Sequence, residues 1–355
     1  MAELKWRKAM DAVDCSAWSN EYLMDMDGDI RLRSEPYYKA FKMADGVWQV
    51  LSDGDYTYVL EGDDELLCID GGSGAGNLRE FCQSLCPEKP LYRIINTHFH
   101  IDHTMNNYLF DVTYMAKQTY SHRQAEEHAA LGIPNDYPVV FLKDGDVFNL
   151  KGRPLEVYAI DEHAPGSLQF LDRKSRILFC GDELNGNFFD SRISVERSYR
   201  NLKRWCSFRD AYDTLAAGNG IHDASYVEKY LEMAEYILFE NPDAGVPLYK
   251  PYADAVSPIT EKDGLPVHLR RSPNLDALQP ILEAQGWQDA LALNGGRICF
   301  CLLRKITPDG IFDRQYEKDG VRFTYYRNRI WDGPVEKKYD SMIFPVTDDQ
   351  KEENN

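Results

Sequence analysis

Short apolar runs separated by Gly and Asp turns dominate the chain from Val47 onward, and they predict β-strands. The runs are VWQVLSD, DYTYVLEG, ELLCIDGG and YRIIN, followed later by PVVFL, DVFNL, LEVYAI, LQFLD and RILFCGD. Apolar residues at helical spacing predict helices over residues 78–85, 118–131, 198–216, 225–239 and 274–285. Because blocks of strands and helices alternate, the pattern predicts a layered α/β protein with two sheets inside and helices outside.

The same pattern divides the chain into three parts. Residues 1–45 form an irregular N-terminal extension, residues 46–240 hold the regular elements of the main domain, and residues 241–355 begin with a Pro-rich stretch. We interpret the last part as a C-terminal cap, a lid or a dimerisation extension. Its segment RFTYYRNRIW (Arg322–Trp331) allows three interpretations: the lining of a substrate pocket, a half-buried strand at a homodimer interface, or a plain surface strand.

Composition narrows the function classes. The formal net charge of −18 over 355 residues repels phosphate backbones, so no nucleic-acid partner is expected. No apolar run approaches the roughly 20 residues of a membrane span, and the N-terminal residues lack the apolar core of a secretory signal. The expected location is therefore the cytoplasm, where the eight cysteines would be reduced. The expected partners are a small-molecule substrate and a second copy of the chain in a homodimer, with no membrane.

Two motif-like segments are better explained as turns. DMDGD (Asp25–Asp29) lacks the Glu at the twelfth position of a calcium-binding loop, and we interpret it as a solvated acidic turn. GGSGAGN (Gly71–Asn77) does not have the G-x-G-x-x-G spacing of a dinucleotide site, and it is more typical of a Gly-rich turn beside a cleft.

The main chemical signal is THFHIDH (Thr97–His103), which follows the buried strand YRIIN. In extended backbone His98 and His100 point the same way, so two imidazoles can hold one metal. Asp102 and His103 follow in a turn and can reach a second metal. Three further candidates stand at the ends of predicted elements: His163 after LEVYAI, Asp182 at the end of RILFCGD, and His222 in GNGIHD. Any one of them alone could be an unrelated polar residue.

Asp70, the H-x-H-x-D-H motif and the three later candidates, taken in this order, resemble the five-motif signature of the metallo-β-lactamase superfamily. The resemblance covers roughly residues 45–240 and implies a four-layer αββα sandwich. It implies one metal held by His98, His100 and His163, a second held by Asp102, His103 and His222, and Asp182 bridging both. Asp70 matches the motif whose Asp orients ligands. Two departures are visible: Glu162-His163-Ala164 replaces the usual Gly-His-Thr, and Asp223 follows His222 where the family has Gly.

This ligand set predicts a hydrolase in which two Zn²⁺ ions per chain activate a hydroxide, although Mn²⁺ or Fe suit the same ligands. Asp102 and Asp182 are the expected catalytic residues, and Asp102 is placed to pass a proton to the leaving group. Asp182 argues against a true β-lactamase, and the short interval from Asp182 to His222 has no room for a nuclease domain. The favoured substrate is a small ester, thioester or lactone. The alternatives are a phosphodiesterase, a non-catalytic metal-binding protein and a mononuclear-iron dioxygenase of the same fold.

Overall fold

The computed structural model describes residues 35–52, 55–73, 75–123, 132–247 and 314–332. It also gives the backbone of four short strand segments at 22–24, 30–32, 261–262 and 265–269. The predicted helix over 274–285 and the DMDGD segment lie outside the described residues.

The strands and helices are numbered here in chain order. The strands are β1 (Tyr22–Met24), β2 (Ile30–Leu32), β3 (Tyr38–Ala44), β4 (Val47–Ser52), β5 (Asp55–Glu61), β6 (Leu66–Ile69), β7 (Leu91–Ile95), β8 (Val112–Ala116), β9 (Val139–Leu142), β10 (Val147–Phe148), β11 (Leu155–Ala159), β12 (Leu168–Asp172), β13 (Ile177–Gly181), β14 (Phe188–Asp190), β15 (Thr214–Ala217), β16 (Gly220–Asp223), β17 (Val246–Pro247), β18 (Glu261–Lys262), β19 (Leu265–Leu269), β20 (Arg314–Lys318) and β21 (Val321–Tyr325). The α-helices are α1 (Leu78–Ser84), α2 (Ile101–Thr104), α3 (Lys117–His122), α4 (Val195–Ser207) and α5 (Tyr226–Phe239).

One sheet contains seven strands in the order β3-β4-β5-β6-β7-β8-β9. The strands from β3 to β6 form an antiparallel meander, and those from β6 to β9 run parallel. Strand β6 is apolar throughout and buried along its whole length, as expected of a strand that is covered on both faces. Its parallel pairing with β7 brings the ends of both strands, at Ile69 and Ile95, to one edge of the sheet.

The second sheet contains six strands in the order β10-β11-β12-β13-β15-β16. The β10–β13 part is antiparallel, β13 pairs with β15 in parallel, and β16 returns antiparallel to β15. Every residue of β12 and β13 is buried. These two central strands are therefore covered on both faces, by the core on one side and by the helical layer on the other.

The two sheets face each other across a core of apolar side chains. Tyr58 and Ile95 from the first sheet meet Phe170 and Phe179 from the second, and the rings of Tyr58 and Phe179 lie edge to face at 5.3 Å. Helices α4 and α5 cover the outer face of the second sheet and bury Trp205 there. Helix α1 packs on the outer face of the first sheet. The predicted αββα sandwich is confirmed.

A buried ion pair also joins the two halves. The guanidinium of Arg153 lies 2.6 Å from the carboxylate of Asp172, and both side chains are almost fully buried. Arg153 also donates to the backbone carbonyls of Glu61 and Asp45, which belong to the first sheet and its β3–β4 turn. Because both charges are withdrawn from water, removing either side chain would leave the other charge buried without its partner, which would lower the free energy of unfolding.

Part of the C-terminal segment forms a small sheet in the order β14-β21-β20-β17. Phe323 and Tyr325 on β21 are fully buried inside the chain, and the ring of Phe323 lies 4.9 Å from that of Phe189. These two residues are therefore neither on a surface strand nor available to a partner. The homodimer and the domain boundaries stay predictions.

The structure corrects one helix. The pattern predicted a helix over 198–216, but α4 ends at Ser207, and residues 214–217 form β15. The apolar stretch Thr214–Ala217 pairs in parallel with β13, so sheet pairing overrides the helical spacing of its apolar residues. Of the helix expected over 118–131, the described part is α3, and residues 124–131 lie outside the description. Among the described helices, none is long and apolar enough to cross a membrane.

Candidate metal centre

The candidate ligands follow the carboxyl ends of strands from both sheets. Asp70 comes directly after β6, the THFHIDH loop after β7, His163 after β11 and Asp182 after β13. The two sheets are joined at this edge, since the amide of Leu168 donates to the carbonyl of Thr97 at 2.7 Å. The fold therefore brings together side chains that are more than 80 positions apart in the sequence.

Three imidazoles form the first group. Nε2 of His98 lies 3.0 Å from Nδ1 of His100, and Nε2 of His163 lies 2.9 Å from the same nitrogen. One ligand atom from each residue lies within 4.8 Å of the other two. Three ring nitrogens converging in this way are the donor set of a zinc-type site.

The protonation of these rings suits metal binding. Burial lowers the pKa of His98 and of His163 well below the ordinary value, and it lowers the pKa of His100 to about 4. The positive charge of Arg192 acts in the same direction on all three rings. The imidazoles are thus neutral at physiological pH, and each has a lone pair to offer.

The second group consists of His98, His103 and Asp182, whose ligand atoms also lie within 4.8 Å of one another. Nε2 of His103 lies 3.6 Å from Oδ1 of Asp182, and the other carboxylate oxygen of Asp182 lies 3.7 Å from Nε2 of His163. Asp182 therefore faces both groups at once. This is the place that a bridging carboxylate requires.

The environment of His103 provides a test of whether a cation fits. Its Nε2 is fully buried and has no hydrogen-bond partner among the described residues, which is a costly arrangement for an imidazole nitrogen unless something else contacts it. Burial acts to lower the pKa of His103, but the carboxylates of Asp70, Asp182 and Asp102 together raise it well above its ordinary value. Negatively charged carboxylates thus surround this nitrogen. A divalent cation there would contact the unpartnered Nε2 and compensate the charge of the carboxylates.

Two predicted ligands lie outside these groups. Asp102 is buried, and its Oδ2 lies 3.9 Å from Nε2 of His103, so it borders the second group. His222 lies on β16, where its Nε2 is 2.8 Å from Oδ1 of Asn219, and its Nδ1 packs against Gly186. Among the described residues, the structure does not bring His222 into either group. Its role as a ligand stays a prediction.

Asp70 fixes the positions of two residues of the THFHIDH loop, Thr97 and His103. Its carboxylate accepts hydrogen bonds from the Thr97 amide at 2.7 Å and from the Thr97 hydroxyl at 2.7 Å, and it lies 2.9 Å from Nδ1 of His103. Asp70 has a left-handed backbone φ of 63°, which turns the chain sharply after β6. Its contact with Nδ1 fixes the His103 ring so that Nε2 is the nitrogen left for a metal.

Sequence reasoning missed several supporting residues. The carboxylate of Glu183 accepts the backbone amide of His163 at 2.7 Å, and the Glu162 carboxylate accepts hydrogen bonds from Ser198 at 2.6 Å and Asn201 at 3.0 Å. Burial raises the pKa of Glu162 to about 8 and that of Glu183 well above its ordinary value. Together they fix the loop that carries His163. The only visible signal in the sequence is that each glutamate adjoins a predicted ligand.

The side chains of Asn96 and Asn107 also fix the THFHIDH loop. Nδ2 of Asn96 donates to the carbonyl of His103 at 2.9 Å, and Nδ2 of Asn107 donates to Oδ1 of Asn96 at 2.8 Å. All three residues are buried. With its backbone fixed in this way, the loop presents its imidazoles without a large rearrangement.

Glycines allow close packing beneath the second group. A Cβ at Gly218 would lie 2.3 Å from Oδ1 of Asp182 and 2.8 Å from Cε1 of His103. At Gly181, which has a left-handed φ of 53°, a Cβ would lie 2.3 Å from the Thr97 hydroxyl. The β13 and β15 ends therefore approach the site too closely for any larger residue.

Comparison with known proteins agrees with this geometry. The family described as the metallo-beta-lactamase superfamily matches residues 53–240, which is more than half of the chain. The human acyl-coenzyme A thioesterase MBLAC2 is 27% identical over 180 residues, which cover 39% of this chain and 62% of that protein. The atrochrysone carboxyl ACP thioesterase of Aspergillus fumigatus is 25% identical over 162 residues, covering 44% of this chain and 48% of that protein. The chain thus spans less than two thirds of the length of these curated relatives.

Solved structures are also similar. A metallo-beta-lactamase family protein of Thermus thermophilus covers 56% of this chain and 82% of its own, with a TM-score of 0.44 and 18% identity. The sec-alkylsulfatase Pisa1 of a Pseudomonas species covers 72% of this chain and 51% of its own, with a TM-score of 0.49 and 15% identity.

Proposed function

Because the chain belongs to the metallo-beta-lactamase superfamily, we propose that it is a metal-dependent hydrolase that cleaves a thioester bond. The observation that carries the proposal is the convergence of His98, His100 and His163 with His103 and Asp182 at one sheet edge. Such a centre can hydrolyse esters, lactones and thioesters. The thioester is favoured because both curated relatives reported above are named as thioesterases.

The two groups give each residue a role. His98, His100 and His163 would hold one cation, and His103 with Asp182 would hold the other, with Asp102 at its border and Asp182 facing both. His222 stays a candidate ligand for the second cation through a change of its side-chain position. Divalent cations such as Zn²⁺ supply, when bound, a water of lowered pKa and a Lewis acid for a carbonyl oxygen.

The residues of the chain contribute positioning and proton transfer. Asp70 and Thr97 hold the His103 ring, and Glu183 holds the backbone of His163, so the donors are oriented before any substrate arrives. The Asp102 carboxylate is buried beside the second group, and it would accept a proton from the attacking water and deliver it to the leaving thiolate.

Metal analysis and a substrate panel on the purified protein test the proposal. We expect two divalent ions per chain and chelator-sensitive hydrolysis of acyl-coenzyme A thioesters, with near-complete loss of activity in Asp182→Ala. The panel should also contain p-nitrophenyl esters, a lactone and bis-p-nitrophenyl phosphate. A preference for the phosphodiester would replace the proposal with the phosphodiesterase alternative.

Two further outcomes would contradict the proposal. A single iron per chain together with oxygen consumption would indicate a dioxygenase. Two bound metals without turnover of any substrate in the panel would indicate a metal-binding protein that is not an enzyme. A matched control is Asp111→Asn, which alters a buried carboxylate that is paired with Arg79 away from the centre. It should keep both metal and activity.

A further inference from the structure

A cleft of about 430 Å³ lies at the same sheet edge as the candidate centre. It opens at the carboxyl ends of β8, β9 and β11, and the first turns of α4 close one side. Ligands of α/β proteins bind preferentially beyond the carboxyl ends of strands, and this volume falls in the range of small-molecule sites. The proposed hydrolysis at the candidate centre does not use this cleft.

The cleft and the candidate centre share a wall. Residues Asp161 and Gly166 line the cleft, and the loop between them carries His163. This loop is held against α3, since the Thr119 hydroxyl donates to the Gly166 carbonyl at 2.8 Å and a Cβ at Gly166 would lie 2.6 Å from the Thr119 amide. A molecule in the cleft would therefore lie directly against the segment that positions a ligand of the centre.

Three cationic side chains line the cleft: Lys117, Lys143 and Arg197. All three are exposed, and none forms an ion pair with another residue in the described part of the chain. Such a cluster is unexpected on a chain with a net charge of −18, where nearby carboxylates are abundant.

The acidic residues of the cleft are already engaged. The Asp144 carboxylate lies 2.5 Å from the guanidinium of Arg204 and accepts the Ala159 amide at 2.8 Å. The Asp161 carboxylate accepts hydrogen bonds from the backbone amides of Gly166 and Ser167. With Asp144 neutralised, three cations face one carboxylate, so the cleft has a surplus of positive charge.

We propose that this cleft binds the phosphate groups of a coenzyme A-type carrier, with the thioester reaching across the His163 loop to the candidate centre. The assignment rests on the proposed thioester hydrolysis for the position of the acyl group, but binding of the carrier itself does not require turnover. Arg197 and Lys143 supply the hydrogen-bond donors and charge that phosphates prefer, and Lys117 adds charge at the rim.

Calorimetric binding of coenzyme A and of pantetheine tests the assignment. The two ligands have the same thiol arm, and pantetheine lacks the phosphates, so any contact of the thiol with bound metal cancels in the comparison. The proteins are the wild type, Lys143→Gln, Arg197→Gln, the double variant, and Lys203→Gln as a control on the exposed face of α4. Because the substituted side chains are exposed, thermal unfolding should be unchanged in all of them.

We expect coenzyme A to bind the wild type at least tenfold more tightly than pantetheine. Each cleft variant should lose about tenfold in coenzyme A affinity, with pantetheine affinity and the control variant unaffected. The advantage of coenzyme A should also shrink as salt is raised. Equal coenzyme A affinity in the wild type and the double variant would overturn the assignment, and so would equal affinity of the wild type for coenzyme A and pantetheine.

The same proteins separate this assignment from the proposed function. Cleft-dependent binding of coenzyme A without hydrolysis of any thioester would support the cleft and reject the function. Hydrolysis of acyl-coenzyme A and acyl-pantetheine at the same kcat/KM, unchanged in the double variant, would support the function and reject the cleft.

Discussion

The substitution Asp70→Asn tests whether Asp70 orients His103 for metal binding. Oδ1 of Asp70 accepts the Thr97 amide, and Oδ2 receives the Thr97 hydroxyl and lies 2.9 Å from Nδ1 of His103. Asparagine has the same shape, and it adopts the left-handed conformation at this position as readily as aspartate. The change therefore leaves the backbone unstrained and alters only the charge and the acceptors.

The magnitude follows from the number of acceptors. An amide offers one oxygen, and its NH₂ group cannot accept, so either His103 or the Thr97 amide loses its acceptor. A hydrogen bond to a buried charged group contributes about 1.5–3 kcal/mol. If His103 loses it, the ring is no longer held with Nε2 directed at the second group, and the affinity for the second metal should fall about 10- to 100-fold.

Competition with a chromophoric chelator measures this affinity, and chemical denaturation of the same samples measures the free energy of unfolding. Asp111→Asn is the matched control, since Asp111 is also a buried carboxylate and pairs with Arg79 at 3.2 Å just before β8, at the opposite end of the strands. We expect both variants to lose stability and Asp70→Asn alone to lose metal affinity. Wild-type metal affinity in Asp70→Asn, beside a clear loss of stability, would refute an orienting role.

Three further predictions concern the ligands, the packing beneath them and the core. His163→Ala should remove the first metal, and His222→Ala should lose less metal than His163→Ala. Metal content after dialysis measures both losses, and the reverse order would contradict the two groups described above. Gly218→Ala places a Cβ 2.3 Å from Oδ1 of Asp182. Metal affinity should therefore fall about tenfold or more, and overpacking should lower the free energy of unfolding by about 1–3 kcal/mol. Unchanged affinity in chelator competition would contradict this close approach. Arg153→Met leaves the buried Asp172 unpaired and should cost about 3–5 kcal/mol in urea denaturation; a loss below about 1 kcal/mol would show that the pair is dispensable.

The sequence pattern predicted strands such as LLCI and ILFCG, whose apolar runs are buried over their whole length. It missed β3, which lies in the part interpreted as irregular, and β8. It failed over 214–217, where helical spacing of Leu215 and its neighbours was outweighed by pairing with β13. No local pattern distinguishes these outcomes, since the partner strand lies more than 30 positions away.

For the site, the H-x-H-x-D-H motif and the family resemblance predicted the first group of donors, His98, His100 and His163. The second group differs from the expected set, because it contains His98 beside His103 and Asp182, and the structure brings neither Asp102 nor His222 into it. The orientation of His222 could not be predicted, because it depends on contacts with Asn219 and Gly186 that only the folded chain provides. The same holds for Glu183 and Asn96, which act on backbone atoms of the ligand loops. The cationic cleft was also hidden, because Lys117, Lys143 and Arg197 come from three separate elements.

Anomalous diffraction at the zinc absorption edge, from crystals grown with zinc, tests the central claim most directly. We expect two peaks per chain, one among the ring nitrogens of His98, His100 and His163 and one between His103 and Asp182. Peaks located elsewhere on the surface, with no density at either group, would contradict the metal centre from which the proposed hydrolysis follows.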